Sequence, residues 1–264
     1  MGVPYAEVIG DPIEHSKSPV IHKFWLETLG LEGDYRATGV TAADLSAYLE
    51  SRRSDPDWRG CNLTMPHKQA VVPLLQTTTR DAGRIGAVNT IRKGADGRLH
   101  GRNTDLHGIC RSLDPYLAQP LERVVLIGAG GAARAAARML EANGAGEVVV
   151  INRTADHGEG LLRDFHLSGR VTDSTRIPEA DIVINAAPPY ADFTLDALAA
   201  DALVFDMVYS PPEGSILGKA RRRGLRVVDG LTMLIHQAEE AFGVFFRRAR
   251  PIGADAQLRE LLDS

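Results

Sequence analysis

Cysteine is nearly absent: Cys61 and Cys110 are the only two in 264 residues, with no C-x-x-C spacing. Two isolated thiols build neither a disulfide framework nor a zinc site, so a reducing compartment and no bound metal are expected. A basic excess is also missing. Thirty Lys and Arg stand against 34 Asp and Glu, a formal charge of −4. Such a balance offers no surplus to neutralise nucleic-acid phosphates or an anionic bilayer, so neither partner is expected. No apolar run approaches the ~20 residues of a membrane helix. Residues Met1 to Tyr5 lack a basic segment followed by an apolar one; no signal peptide is read there, and a cytoplasmic protein is expected.

What is present is an ordinary globular mixture, 44% hydrophobic and 24% charged, long enough for two domains. The stretch that organises the chain is Gly60-Cys61-Asn62-Leu63-Thr64-Met65-Pro66-His67-Lys68. A strand from Trp58 to Leu63 ends at Thr64. Pro66 cannot continue a strand ladder but suits the first turn of a helix, here expected to about Leu75. Lys68 therefore sits just past a strand end, where open α/β sheets bind ligands.

The first half alternates strands and helices. Tyr5 to Gly10 is a strand; Ser18-Pro19 opens a helix with Ser18 as its cap, and Ile21, Phe24, Trp25 and Leu29 fall on one face. Ser16 and Ser18 at this strand end fit a capping role and equally an anion-holding one. Tyr35 to Val40 is a second strand, and Thr41-Ala42-Ala43-Asp44 resembles a capping box before a helix to about Arg53. Gly86 to Ile91 is a strand, and Asp96-Gly97 turns the chain into a returning strand from Leu99 to Asn103. Asn89, Asn103 and Asp105 are poor strand residues close together, which points to strand ends facing a polar ligand; the bland reading of Asp105 is a helix cap.

Pro115 and Pro120, with Gln119 between, look like a linker. Val124 to Ile127 is an apolar strand running into Gly128-Ala129-Gly130-Gly131-Ala132 and an alanine-rich helix, with a second strand at Glu147 to Ile151. In that context G-x-G-x-x-A is a pyrophosphate-binding turn. The second strand ends in Asn152-Arg153-Thr154, with no carboxylate for a ribose 2′-hydroxyl. Arg153 suits a 2′-phosphate, with Asn152 and Thr154 as donors, so NADP is favoured. Further strands at 181–188, 203–209 and 225–228 complete a doubly wound sheet. Met233 to about Arg248 is a helix whose Leu234, Ala238, Ala241, Phe242 and Phe245 are core, while Gln237 faces either a site or water. A tail helix runs from Ala254 to Leu262 and packs back on the first domain.

Together these strings resemble the shikimate dehydrogenase family from about residue 5 to 250. The matches are Ile9 to Pro12 with His15 to Pro19, Asn62 to Lys68, Gly86 to Thr90, Gly101 to Asp105, Gly128 to Ala132, Asn152 to Thr154, Asp206 to Tyr209, and Asp229 to Leu231 with Met233, Leu234 and Gln237. The resemblance implies an α/β protein: a mixed or parallel substrate domain (1–106 with 233–264), a Rossmann-like NADP domain (107–232), and a cleft between. It implies an oxidoreductase of aromatic amino acid biosynthesis that reversibly reduces 3-dehydroshikimate to shikimate with NADPH, as monomer or homodimer. Lys68 and Asp105 become the catalytic pair. Ser16, Ser18 and Tyr209 hold the substrate carboxylate, and Asn62, Thr64, Asn89 and Gln237 contact its hydroxyls and carboxylate end. The nucleotide contacts extend from the glycine turn and Arg153 loop to Met207 and Gly230.

The chain departs from the family pattern at Lys23, at Leu106 and at His157, a weaker phosphate partner near pH 7 than the basic residue common there. The nicotinamide-side string is altered at Asn185 to Tyr190. Two alternatives stand beside the main reading: a paralogue acting on quinate, with NAD in place of NADP, and a non-catalytic nucleotide sensor on the same fold.

Overall fold

The computed structural model describes residues 2–117, 120–188, 191–209, 211–212 and 214–263. Gln119 of the expected linker, and Pro189 and Tyr190 of the altered loop, lie outside them. The chain forms two compact units, Met1–His107 with Gln237–Ser264, and Gly108–His236.

The first unit contains β1 (Tyr5–Gly10), α1 (Ser18–Thr28), β2 (Asp34–Gly39), α2 (Leu45–Arg53), β3 (Trp58–Leu63), α3 (His67–Ala70), β4 (Thr77–Thr78), α4 (Arg80–Ile85), β5 (Thr90–Lys93), β6 (Leu99–Arg102) and the start of α5 (Thr104–Leu113). Its sheet runs β2-β1-β3-β5-β6-β4. β1 lies parallel to β2 and β3, whereas β5 is antiparallel to β3 and β6. The sheet is therefore mixed. The hairpin between β5 and β6 turns where Gly97 takes φ +74°, a conformation that Asp-Gly tolerates.

Five local readings need correction. The strand expected from Gly86 begins only at Thr90, because Gly86, at φ +68°, is the left-handed residue that ends α4. Ser18 does not cap α1: Lys17 is the cap residue and makes no side-chain cap bond, while the Ser16 hydroxyl accepts the Ser18 N–H at 3.4 Å. Leu29 is 37% exposed, and Leu26 and His22 are buried in its place, because α1 ends at Thr28. Thr41 and Asp44 bond each other in a turn ahead of α2 instead of inside it. The helix expected to Leu75 stops at Ala70 and gives way to a 3-10 turn at Val72–Leu74, whose second residue is Pro73; proline cannot donate to the preceding turn.

The second unit adds β7 (Arg123–Ile127), α6 (Gly131–Ala142), β8 (Glu147–Ile151), α7 (Ala155–Asp164), β9 (Gly169–Thr172), β10 (Ile182–Asn185), β11 (Leu203–Asp206), α8 (Ile216–Arg222) and β12 (Arg226–Val228). Its sheet runs β12-β11-β10-β7-β8-β9, all parallel. Counted within the unit from the β9 edge, that is 3-2-1-4-5-6, the doubly wound dinucleotide order with its switch point between β7 and β10. The strands are near-continuous Val, Ile and Leu runs, as both-face burial requires. α9 (Gly230–Phe246) and α10 (Asp255–Asp263) end the chain. The Asp229 carboxylate caps α9, accepting from the Thr232 N–H and hydroxyl at 2.8 Å. Ala238, Ala241, Phe242 and Phe245 are buried as expected, while Leu234 is half-buried. α10 packs against α1, where Lys17 donates to the carbonyl of Leu262.

Two features of the first core matter later. Glu7 on β1 is 1% exposed, yet its carboxylate accepts from Trp58 Nε1 at 2.7 Å, the Thr38 hydroxyl at 2.7 Å and the Tyr48 hydroxyl at 2.6 Å, with Arg52 Nε at 3.3 Å. On the face packed by α9, His22 is fully buried. Its ring lies flat on Tyr35, 4.0 Å between centroids and 4° between planes, and edge-on to Trp25, with Phe242, Phe245 and Phe246 around it. Among the described residues neither His22 nitrogen has a partner. Burial pushes this imidazole down from 6.5 to about 3, so it is neutral.

Candidate active site

β1 and β3 are parallel neighbours, and both run into functional loops at their carboxyl ends. The Thr64 N–H donates to Ile9 O at 3.0 Å and the Asp11 N–H to Met65 O at 3.1 Å, so the loop carrying Ser16 and Ser18 and the one carrying Thr64 and Lys68 leave the same sheet edge. Gly10 permits this approach, since a Cβ there would meet Thr64 Cγ2 at 2.3 Å. His67 is fully buried and anchors the short α3, its ring N–H donating to Val40 O at 2.7 Å. Lys68 is tied by its backbone, whose carbonyl accepts the Val88 N–H at 2.7 Å.

Lys68 Nζ donates to Asp105 Oδ2 at 2.6 Å, with the two side chains 19% and 6% exposed. A charge-assisted bond of this length between nearly buried groups fixes both. Asp105 is not a helix cap. It lies in the first turn of α5, and Asn103 caps instead, its Oδ1 accepting the Leu106 N–H at 3.2 Å. The second Asp105 oxygen accepts from Asn89 Nδ2 at 2.8 Å. Asn89 Oδ1 accepts the Thr104 N–H at 2.7 Å, and a backbone N–H can only donate, so the amide orientation is fixed. Gln237 faces this cluster and not water: it is 7% exposed, and its Oε1 accepts from the Thr104 hydroxyl at 3.2 Å and lies 3.5 Å from Asn89 Nδ2. Asn62 is also interior, donating to Thr90 Oγ1 at 2.8 Å and to Asn89 O at 3.2 Å. Thr90 and Thr104, fully buried at the centre of the cluster, were not singled out from sequence. Ser18 is 5% exposed; Ser16 and Thr64 are half-buried.

In the second unit, β7 ends at Gly128 with φ +101°, where a side chain is strained and a Cβ would sit 3.3 Å from the Ala186 backbone. A Cβ at Gly130 meets nothing within 4 Å. The open turn, with Ala129 and Ala132 beside it, leads into the amino terminus of the twelve-residue α6 at Gly131. Space beside glycine at such a terminus suits a pyrophosphate. β8 delivers Asn152, Arg153 and Thr154; Arg153 and Thr154 are exposed. Asn152 spends one amide hydrogen inside the loop, on Thr154 O at 2.8 Å. After β11, the buried Asp206 accepts from Asn185 Nδ2 at 2.9 Å and the Val208 N–H at 3.0 Å, shaping the Met207–Tyr209 turn. Burial pushes the Asp206 carboxyl upward against the pull of those two bonds, and it pushes the Tyr209 phenol upward too. A Cβ at Gly230 would lie 2.6–2.7 Å from the Val208 and Met207 backbones, so only glycine lets these segments meet. The described residues hold no group of three or more His, Cys, Asp or Glu arranged for a metal ion.

The chain matches the family model of the shikimate dehydrogenase substrate binding domain over residues 8–91 and that of shikimate / quinate 5-dehydrogenase over 117–190. A shikimate dehydrogenase (NADP(+)) of Sphingopyxis alaskensis is 47% identical, over 98% of this chain and 97% of that protein. The chain belongs to the shikimate dehydrogenase family. Among solved structures, the Thermus thermophilus shikimate 5-dehydrogenase in complex with NADP(H) and shikimate is 33% identical, with TM-score 0.85 over 98% of this chain and 99% of that one. A quinate dehydrogenase of Corynebacterium glutamicum in complex with NAD is 30% identical, with TM-score 0.85 over 99% of both chains. The α/β architecture is shared with both of these structures.

Proposed function

We propose that this chain reversibly reduces 3-dehydroshikimate to shikimate with NADPH, a step toward the aromatic amino acids. The observation that carries the reading is the Lys68–Asp105 pair at 2.6 Å, in a chain 47% identical to an NADP-dependent member along nearly its whole length. NADPH supplies the hydride when bound. The protein supplies the proton. As hydride reaches the carbonyl carbon, negative charge gathers on its oxygen. The Lys68 ammonium stabilises that charge and donates the proton; in the oxidative direction its amine takes the proton back. Asp105 keeps the ammonium oriented, and Asn89 keeps Asp105 oriented. The Ser16 and Ser18 hydroxyls and the Tyr209 phenol, kept protonated by burial, donate to the substrate carboxylate. Thr64, Asn62, Asn89 and Gln237 line the ring hydroxyls.

For the nucleotide, Gly128 to Ala132 cradle the pyrophosphate, Met207 and Gly230 border the nicotinamide side, and Asn152, Arg153 and Thr154 meet the 2′-phosphate. No carboxylate stands on that loop to favour NAD, and Arg153 offers a planar charged fork for phosphate. The acidic balance leaves no surplus of positive charge for nucleic acid or an anionic bilayer; the reading is of a cytoplasmic enzyme of small molecules, monomeric or homodimeric.

The test is reduced-nicotinamide absorbance with shikimate or quinate, each with NADP or NAD. Turnover of shikimate with NADP is expected to exceed the other three combinations. In Arg153→Ala the KM for NADP rises about tenfold while that for NAD changes less than about twofold, the loss expected of one charge-assisted phosphate contact. Preference for quinate or NAD in the wild type refutes the reading in favour of the paralogue, and silence in all four refutes it in favour of the sensor.

A further inference from the structure

We infer that Tyr35 and Thr90 are positioning residues for the catalytic carboxylate, the far end and the middle of one directed hydrogen-bond relay that crosses the substrate-unit sheet to Asp105. The inference rests on the proposed Lys68–Asp105 chemistry and extends it to residues that have no surface to offer a ligand: Tyr35 and Thr90 are both 0% exposed.

The relay runs in one direction. The Tyr35 hydroxyl donates to Asn62 Oδ1 at 2.6 Å. Asn62 Nδ2 donates to Thr90 Oγ1 at 2.8 Å. The Thr90 hydroxyl donates to Asn89 Oδ1 at 3.1 Å. Asn89 Nδ2 donates to Asp105 Oδ1 at 2.8 Å, and Lys68 holds the other carboxylate oxygen. Both amide orientations are determined by neighbours that have no choice. Asn62 must turn its NH₂ toward the Asn89 carbonyl, 3.2 Å away, because a carbonyl only accepts. Its oxygen is then left for Tyr35, whose phenol burial holds protonated well above its ordinary value of 10.0. Asn89 must turn its oxygen toward the Thr104 N–H. Thr90 accepts from Asn62, and its one proton has two oxygens at 3.1 Å, Asn89 Oδ1 and Thr104 Oγ1. In the relay it goes to Asn89, and the Thr104 hydroxyl turns to Gln237. Donors aligned head to tail polarise one another, so the last one, on Asp105, is stronger than an isolated amide contact.

The sheet is cut to let this happen. Tyr35 on β2 is level with Ala6 on β1 and Gly60 on β3. Two small residues on that rung leave room for the Tyr35 ring to lie across β1 and reach Asn62, two positions further along β3 on the same face. Asn62 is paired in turn with Thr90 on β5, and Asn89 precedes Thr90. His22, stacked flat on the Tyr35 ring, and Phe245, 6.2 Å from it, hold the phenol in place from the helix layer. A buried polar network requires only that its atoms be satisfied. This one also ends on the group that orients the proton donor.

The test breaks the relay in the middle without changing shape. Thr90→Val removes the hydroxyl, and Thr90→Ser keeps it. In the shikimate and NADP assay, Thr90→Val is expected to lower kcat about tenfold with KM for shikimate changed less than about threefold, the signature of a lost transition-state interaction. Thr90→Ser is expected to restore kcat to within about twofold of wild type. Tyr35→Phe, cutting the far end, lowers kcat by a smaller factor. Urea unfolding followed by the fluorescence of Trp25 and Trp58, both in the same unit as the relay, confirms that each variant is folded. Wild-type kcat in Thr90→Val, equal losses in the Val and Ser variants, or a loss confined to KM overturns the relay alone. An inactive wild type overturns the proposed function and the relay's role with it.

Discussion

Lys68→Ala is expected to lower kcat for shikimate oxidation by about 1,000-fold or more while NADPH binding stays within about twofold. The substitution removes two contributions at once: proton transfer, typically worth about 100- to 10,000-fold, and a positive charge where the alkoxide develops. Its effect on the fold is local. The Lys68 backbone bond to Val88 is independent of the side chain, and Asp105 keeps its bond from Asn89. Lys68→Arg is expected to rescue little. A guanidinium cannot deprotonate at working pH and its planar fork does not match the single ammonium contact. Steady-state turnover and a fluorescence titration with NADPH measure the two halves separately. Turnover within tenfold of wild type in Lys68→Ala would remove the lysine from the mechanism.

Glu7→Ala is expected to have the largest effect on stability, about 3–5 kcal/mol, without touching the site. Glu7 is a buried carboxylate whose cost is met by the donors converging on it. Removing it leaves the Trp58 indole N–H, the Tyr48 and Thr38 hydroxyls and part of the Arg52 guanidinium facing a hole. Breaking such a set from one side costs far more than its net contribution. Glu7→Gln keeps one oxygen but turns an NH₂ toward donors, so it is expected to recover only part of the loss. Urea unfolding, compared at equal slope, gives the difference. A shift below about 1 kcal/mol for Glu7→Ala would show that these donors find water or each other.

Much of this was legible in the sequence, for identifiable reasons. The strand at Val124 to Ile127 announces itself because a parallel strand is apolar on both faces, and the glycines after it are required by a positive φ and an open turn. Lys68 stands out because Pro66 and a helix start put it beyond a strand end, and Asp105 because Asn89, Asn103 and Asp105 are poor strand residues. That the two pair was implied by the family resemblance alone, and they lie 2.6 Å apart. The misreadings have physical causes too. Ser-Pro is a common helix start and points to Ser18 as the cap, yet the helix begins one residue sooner. α4 and β4 were missed because six and two residues show no period. Tyr35 and Thr90 could not have been found at all. A tyrosine or threonine in a strand is ordinary core, and its role comes from partners 27 and 28 residues away in the chain.

The aromatic box around His22 has a consequence for the whole molecule: it couples folding to acid. An unfolded chain takes a proton on this imidazole near 6.5, the folded chain only near 3. Between those values the unfolded state binds one proton more, so the folded state loses stability as pH falls through that window, by about 1.4 kcal/mol per unit. At about pH 5 the deficit is about 2 kcal/mol, a sizeable share of a typical 5–15 kcal/mol total. Replacing His22 with Phe keeps a flat ring against Tyr35 and removes the titration. The urea midpoint of His22→Phe should therefore fall less steeply than wild type between pH 7 and pH 5; parallel slopes would show that protonation of this ring is not what destabilises the fold in acid.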